Sequence, residues 1–180
     1  TAAELRGLLL FNNPTKGNCN ACHLSTAKGG TPALFTDFTN DNVGIPRNWS
    51  IAANQEGTTL PYVPKNGIAL GDPNYSYYDL GLCGPLRTDF RVGGSTCGRF
   101  KVPTLRNIAL TYPYFHDGGA QTLDEAVHTM GRVQLGRTFT TDEAQQIVAF
   151  LHTLTGEQPK IALPILPPSA ANTPQPQPFN

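Results

Sequence analysis

Apolar positions recur with a helical period near both ends of the chain and lose it in between. Thr1-Ala2-Ala3-Glu4 reads as a capping box, a hydroxyl at the N-cap with Glu at the third helical position. Leu5, Leu8 and Leu9 follow on one helical face, and Asn12-Asn13-Pro14 stops the helix. Gly7 and Phe11 sit one turn apart, which sets a bare backbone patch beside an aromatic ring and suits close crossing by another helix. The alternative is an ordinary helical Gly costing about 1 kcal/mol. Thr122-Leu123-Asp124-Glu125 is a second capping box and predicts a helix ending near Gly131. Thr140-Thr141-Asp142-Glu143 is a third. It predicts a helix with Ile147, Val148, Leu151 and Leu154 on one face, closed by Gly156. Thr104 is expected to cap a short helix through Ala109.

Residues 25–100 show no sustained period of 2 or 3.6. They carry Gly29-Gly30, Gly71-Asp72-Pro73-Asn74 and Gly93-Gly94, with Phe35, Phe38, Trp49, Tyr62, Tyr75, Tyr77 and Tyr78 between. A loop this long in a compact domain needs an organiser. Past Gly156 the chain is proline-rich and predicted to be extended. First and last helices around a loop-rich middle predict a mainly α architecture, in which Gly7 and Phe11 meet the Phe150/Leu151 face.

Composition narrows the partners. The chain has 180 residues, 14% of them charged, and a formal net charge of zero. No strong field draws it to nucleic acid or to an anionic membrane. No apolar run approaches the ~20 residues of a membrane span. No signal peptide is seen, which fits a mature form, a fragment or a cut form. The 16 Pro and 18 Gly agree with much irregular backbone.

The candidate chemistry is concentrated in Cys19-Asn20-Ala21-Cys22-His23. C-x-x-C-H is the attachment signature of a c-type haem: two thiols add to the vinyl groups, and the next imidazole becomes the iron's proximal ligand. A structural zinc site would need two close ligand pairs. Cys83 and Cys97 are far apart, and His23, His116, His128 and His152 form no H-x-x-x-H pair. No βαβ context favours a thioredoxin-like motif. Cys83 and Cys97 are expected to pair. A disulfide closing a loop of about 15 residues is worth roughly 3 kcal/mol in the chain-entropy model; the alternative is two free thiols. Haem attachment and a disulfide both point to an oxidising compartment, in a bacterium the periplasm.

The sixth iron ligand decides between electron transfer and chemistry on an open iron. Met130, the only Met, lies at the predicted end of its helix, where Gly131 would let the backbone turn toward the haem. A lone Met is more often core filler. His116 and His128 are rivals. Lys101 and Arg106 are candidates to pair with haem propionates or to stay solvated. Pro103, Leu105, Tyr114 and Phe115 are candidates to wall the haem or to pack among themselves. His23 is expected to donate its other ring N–H to a backbone carbonyl.

Four stretches resemble signatures of the bacterial dihaem cytochrome c peroxidases and their MauG-type relatives. They are Phe100-Lys101-Val102-Pro103-Thr104-Leu105-Arg106-Asn107-Ile108-Ala109-Leu110, Thr111-Tyr112-Pro113-Tyr114-Phe115-His116-Asp117-Gly118-Gly119, Met130-Gly131-Arg132-Val133-Gln134-Leu135-Gly136 and Val148-Ala149-Phe150-Leu151-His152-Thr153-Leu154-Thr155-Gly156. The resemblance is to the C-terminal, electron-transfer haem domain. It implies His/Met ligation by His23 and Met130; a Tyr-ligated MauG variant would lack this Met. It also implies a calcium ion between domains, with backbone carbonyls of Thr111 and Pro113 contributing. Three departures stand out. One C-x-x-C-H means no peroxide-reducing N-terminal domain. Asp41 stands where many members have His in F-x-x-H-N-x-G. Residues 50–99 are longer than in compact members.

The expectation is therefore a monohaem cytochrome c domain over 1–156, with a loop-rich insertion at about 50–99 and a Pro-rich extension over 157–180. It carries one covalent haem c, has no catalytic residues of its own and is periplasmic. It takes single electrons from a small soluble donor protein and passes them to a second haem domain or subunit. The alternatives are a domain that itself reduces peroxide, with Met130 not a tight ligand, and a docking module whose haem is a folding staple.

Overall fold

The computed structural model describes residues 1–27, 29–46, 48–51, 81–82, 98–162 and 172. In these the order is helix α1 (Ala2–Asn12), a 3-10 turn (Cys19–Ala21), strands β1 (Asn40–Asp41) and β2 (Phe100–Lys101), a 3-10 turn (Ile108–Leu110), and helices α2 (Leu123–Leu135) and α3 (Thr141–His152). The regular structure of the described part is mostly helical. All three helices begin at a complete capping box: Thr1 with Glu4, Thr122 with Glu125, Thr140 with Glu143. Each hydroxyl satisfies one orphan N–H and each carboxylate another, so these starts are fixed locally.

The packing that organises the molecule is α1 against α3. A Cβ on Gly7 would stand 1.9 Å from the Gln146 carbonyl oxygen and 2.8 Å from Phe150 Cβ, so backbone meets backbone there. Phe11, one turn on, is 1% exposed. Its ring stands 5.2 Å from that of Phe150 and 6.0 Å from that of Phe35, edge to face. Ala144, Ile147, Leu151 and Leu154 complete this core, with Leu123, Val127 and Phe139 from the α2 side. The expected Gly7/Phe11 crossing of the Phe150/Leu151 face is thus present.

Some expected details differ. Leu5 and Leu9 are exposed, because the face of α1 that meets α3 is the Gly7/Phe11 face. In a helix this rich in Leu, spacing alone does not rank the faces. The helix with Met130 does not end at Gly131 but runs to Leu135, and Gly136 ends it in the left-handed conformation (φ 60°). Gly131 is interior and buried: a Cβ there would stand 2.6 Å from the Phe139 ring, so this glycine makes room for a ring and does not turn the chain. α3 stops at His152, and Gly156 instead donates its N–H to Asn107 Oδ1 (2.9 Å). Thr104 caps no helix. Its hydroxyl donates to the Leu34 carbonyl (2.6 Å) and accepts from the Arg106 N–H (3.1 Å).

The middle of the chain is tied to the rest through β1 and β2, which pair antiparallel with Asn40 opposite Lys101 and Asp41 opposite Phe100. Thr36, buried at 6% exposure, donates to the Val102 carbonyl at 2.6 Å. Most of the expected insertion and the Cys83–Cys97 pair lie outside the described residues.

Candidate functional site

The C-x-x-C-H turn is set by its approach. Gly17 is buried after α1 and its N–H donates to the Leu10 carbonyl (3.1 Å); a Cβ there would lie 2.5 Å from that oxygen. Asn18 follows in the left-handed region (φ 45°). The turn then closes by His23 N–H to the Cys19 carbonyl (2.8 Å), and Ser25 is pinned to Asn20 Oδ1 (2.6 Å) and Asn12 Oδ1 (2.8 Å). Both thiols are free. Cys19 packs against the core cluster, and burial pushes its thiol up to about 12. The Cys22 thiol is raised by burial and by the Asp41 and Asp37 carboxylates.

His23 Nδ1 is 2.9 Å from the Phe35 carbonyl oxygen, the backbone contact that the motif calls for. Burial holds the imidazole below its ordinary pKa, against the opposing pull of the Phe35 and Pro103 carbonyls and the Asp37 charge. The neutral ring with Nδ1 anchored leaves Nε2 as the ligating nitrogen. The donor set therefore fits a covalent haem: two thiols on one turn and an oriented imidazole directly after them. The apolar surroundings agree. Leu24, Leu34 and Phe38 are large, exposed side chains in the segments that flank His23 and its Phe35 anchor.

The remaining expected residues sort unevenly. Met130 is half-buried on α2. Its rival His128, on the same helix, stands 3.8 Å from Asp124 one turn back. His116 is exposed and stacked on Phe100, ring centroids 3.7 Å apart. Arg106 donates to the Ala33 carbonyl (2.8 Å) and lies 5.1 Å over the Phe35 ring. Lys101 donates to the Val102 carbonyl (2.9 Å) and lies 5.0 Å from the Phe38 ring centroid. Both cations are therefore held beside the segment that anchors His23. Leu105 and Phe115 are half-buried against the core, Pro103 is exposed, and Tyr114 is a core residue. Thr111 and Pro113 are exposed after the Ile108–Leu110 turn.

Sequence reading missed the company of Cys22. Among the described residues, the one group of His, Cys, Asp and Glu close enough to share an ion is Cys22, Asp37 and Asp41. Asp41 was marked by its departure from the family pattern, but its contact with Cys22 spans 19 positions of sequence.

No family model matches the chain. A cytochrome c551 peroxidase of Nitrosomonas europaea is 56% identical over 122 residues, covering 63% of this chain and 36% of that protein. The methylamine utilization protein MauG of Paracoccus denitrificans is 32% identical over 114 residues, covering 61% of this chain and 24% of that protein. A diheme peroxidase from Burkholderia thailandensis E264 superposes with a TM-score of 0.62 at 30% identity, covering 86% of this chain and 43% of that one. The chain spans less than half the length of each of these relatives. With the C-x-x-C-H turn, its anchored imidazole and the crossed helices, these likenesses are consistent with a member of the cytochrome c peroxidase/MauG family and support a cytochrome c-type haem domain.

Proposed function

We propose that this domain is a single-electron carrier, equivalent to the C-terminal, electron-transfer half of a dihaem peroxidase. The observation that carries the reading is the His23 Nδ1 contact to the Phe35 carbonyl at 2.9 Å, directly after two free thiols on one turn. The bound haem would supply a one-electron ferric/ferrous couple. Cys19 and Cys22 would hold it covalently, and His23 would ligate through Nε2. Met130 would fill the other axial position with a soft thioether, which favours ferrous iron and excludes water. Leu24, Leu34 and Phe38 would lose their exposure against its faces, with Pro103, Leu105 and Phe115 nearby. Arg106 and Lys101, already fixed on backbone carbonyls, would offer their remaining donors to propionates.

The partners follow from this reading: a small soluble electron-donor protein, and a second haem domain or subunit as acceptor. A calcium ion held in part by the Thr111 and Pro113 carbonyls belongs to the same proposal. The periplasm is the proposed compartment, since haem attachment and a Cys83–Cys97 disulfide both point to an oxidising compartment. Among the described residues no helix is long and apolar enough to cross a membrane.

The peroxidase names of the relatives favour a second reading, peroxide reduction on this domain itself. A peroxidase assay on the haem-loaded chain separates the two. The electron-carrier reading expects an inactive parent and activity gained in Met130→Ala, which removes the ligand. A parent that reduces peroxide with Met130 intact overturns it.

A further inference from the structure

Cys22 Sγ lies 3.8 Å from Asp41 Oδ2. The sulfur and one carboxylate oxygen each from Asp37 and Asp41 all lie within 4.8 Å of one another. The arrangement is held from several sides. Asp41 sits on β1 opposite Phe100, and the neighbouring pair is Asn40 with Lys101. Asp37 Oδ1 accepts from the Thr39 N–H (2.9 Å) and from the Thr39 hydroxyl (2.8 Å), and that hydroxyl also reaches Asp41 Oδ2 (3.3 Å). One threonine thus bridges both carboxylates. An ion site does not explain the group, because haem attachment consumes the sulfur.

From this geometry we infer that Asp41, with Asp37 beside it, biases the attached haem toward its ferric state and lowers its reduction potential. The inference rests on the reading that Cys22 carries a haem. Addition of the thiol across a vinyl group joins Sγ to one vinyl carbon and moves the thiol hydrogen to the other. The sulfur then sits one carbon from the porphyrin edge and has no proton to donate. The carboxylates remain as negative charges against that edge. Ferric iron carries one more positive charge than ferrous iron, so nearby negative charge stabilises the ferric form. Both carboxylates are half-buried, so screening is weaker than in bulk water.

Three cations nearby oppose the carboxylates in part, each held on a backbone carbonyl. Lys101 is committed to the Val102 carbonyl over Phe38, Arg99 to the Asn40 carbonyl (3.3 Å), and Arg106 to the Ala33 carbonyl.

Spectroelectrochemical titration of the haem-loaded protein tests this. Asp41→Asn is expected to raise the midpoint potential, and Asp41→His to raise it at least as far. Asp41→Glu, which keeps the charge, is expected to stay near the parent. Asp37→Asn keeps the turn onto Thr39, since Asn accepts the same bonds, and is expected to raise the potential even if Asp41 variants fold poorly. The gap between parent and Asp41→Asn should narrow as salt rises. In the haem-free chain, Asp41→Asn should also speed alkylation of Cys22 by iodoacetamide. Unshifted potentials in both Asn variants, or Asp41→Glu shifting as far as Asp41→Asn, would overturn the inference and leave the haem reading standing. A parent chain that forms no thioether-linked haem, read from its pyridine haemochrome spectrum, overturns both.

Discussion

Cys19 packs against the core cluster while Cys22 opens toward Asp41, so the two thiols of one motif should react at different rates. The thiolate is the nucleophile. Burial alone carries Cys19 up to about 12, which leaves almost no thiolate near neutrality. In the haem-free chain at pH 8, iodoacetamide followed by peptide mass spectrometry should mark Cys22 first and Cys19 well after. Equal rates would mean that Cys19 is not held in the core. At this scale the motif itself was legible, because attachment chemistry needs two thiols and an imidazole at a fixed local spacing. Even the need for a carbonyl on His23 was legible, though not that Phe35 supplies it. What the local string does not carry is contact between segments. The Asp41 carboxylate, on β1, meets Cys22 across 19 positions of sequence. Tyr114 likewise is a core residue, a place that an aromatic side chain suits as well as it suits a haem wall.

The helices are where local signals and packing agree best. Three hydroxyl-to-carboxylate capping boxes mark three helix starts, and each is closed in both directions. The ends were less legible, because glycine has several uses. Gly136 ends α2 through its left-handed backbone, whereas Gly131 only makes room for the Phe139 ring. Gly7 makes room for a whole helix. Gly7→Ala should therefore destabilise the fold by roughly 1–3 kcal/mol or more, by overpacking, despite alanine's better helix propensity. A stabilisation of about 1 kcal/mol in urea unfolding, as at an exposed helical glycine, would show that α1 and α3 do not meet there. Glu143 has two tasks: Oε2 accepts from the Thr140 N–H (3.0 Å), and Oε1 pairs with Lys16 ahead of the haem motif. Lys16 and the Thr140 cap hold its carboxyl below the usual range. A depressed carboxylate stabilises above its unfolded pKa of about 4.3, and that contribution is lost as pH falls through the lower folded value. Lys16→Met should thus cost up to ~1 kcal/mol at pH 7, as exposed pairs do, and the cost should fade below pH ~4. Thr140→Ala should cost about 1 kcal/mol at pH 7 and at pH 4 alike, since it removes the hydroxyl that accepts from the Glu143 N–H.

At the scale of the molecule, three of the large apolar side chains exposed among the described residues lie in the segments that flank His23 and its Phe35 anchor. Leu24, Leu34 and Phe38 are 44%, 50% and 60% exposed, which is costly for a chain with a well-packed helical core elsewhere. Haem attachment should therefore raise the thermal midpoint and sharply reduce binding of a hydrophobic dye such as anilinonaphthalene sulfonate. Dye binding that stays unchanged on loading would place the haem away from these residues. The overall architecture was legible from its ends, since crossed first and last helices need only a bare glycine patch and an aromatic neighbour. The loop-rich middle was not, because its pairing through β1 and β2 involves two residues per strand and leaves no periodicity to read. The central claim is that His23 and Met130 both hold the iron of an electron-carrying domain. The most direct test is the optical spectrum of the reduced, haem-loaded protein with and without carbon monoxide. A low-spin spectrum that carbon monoxide leaves unchanged is the predicted result. A high-spin spectrum, or ready uptake of the gas, would contradict it and make Met130 a core residue beside an open iron.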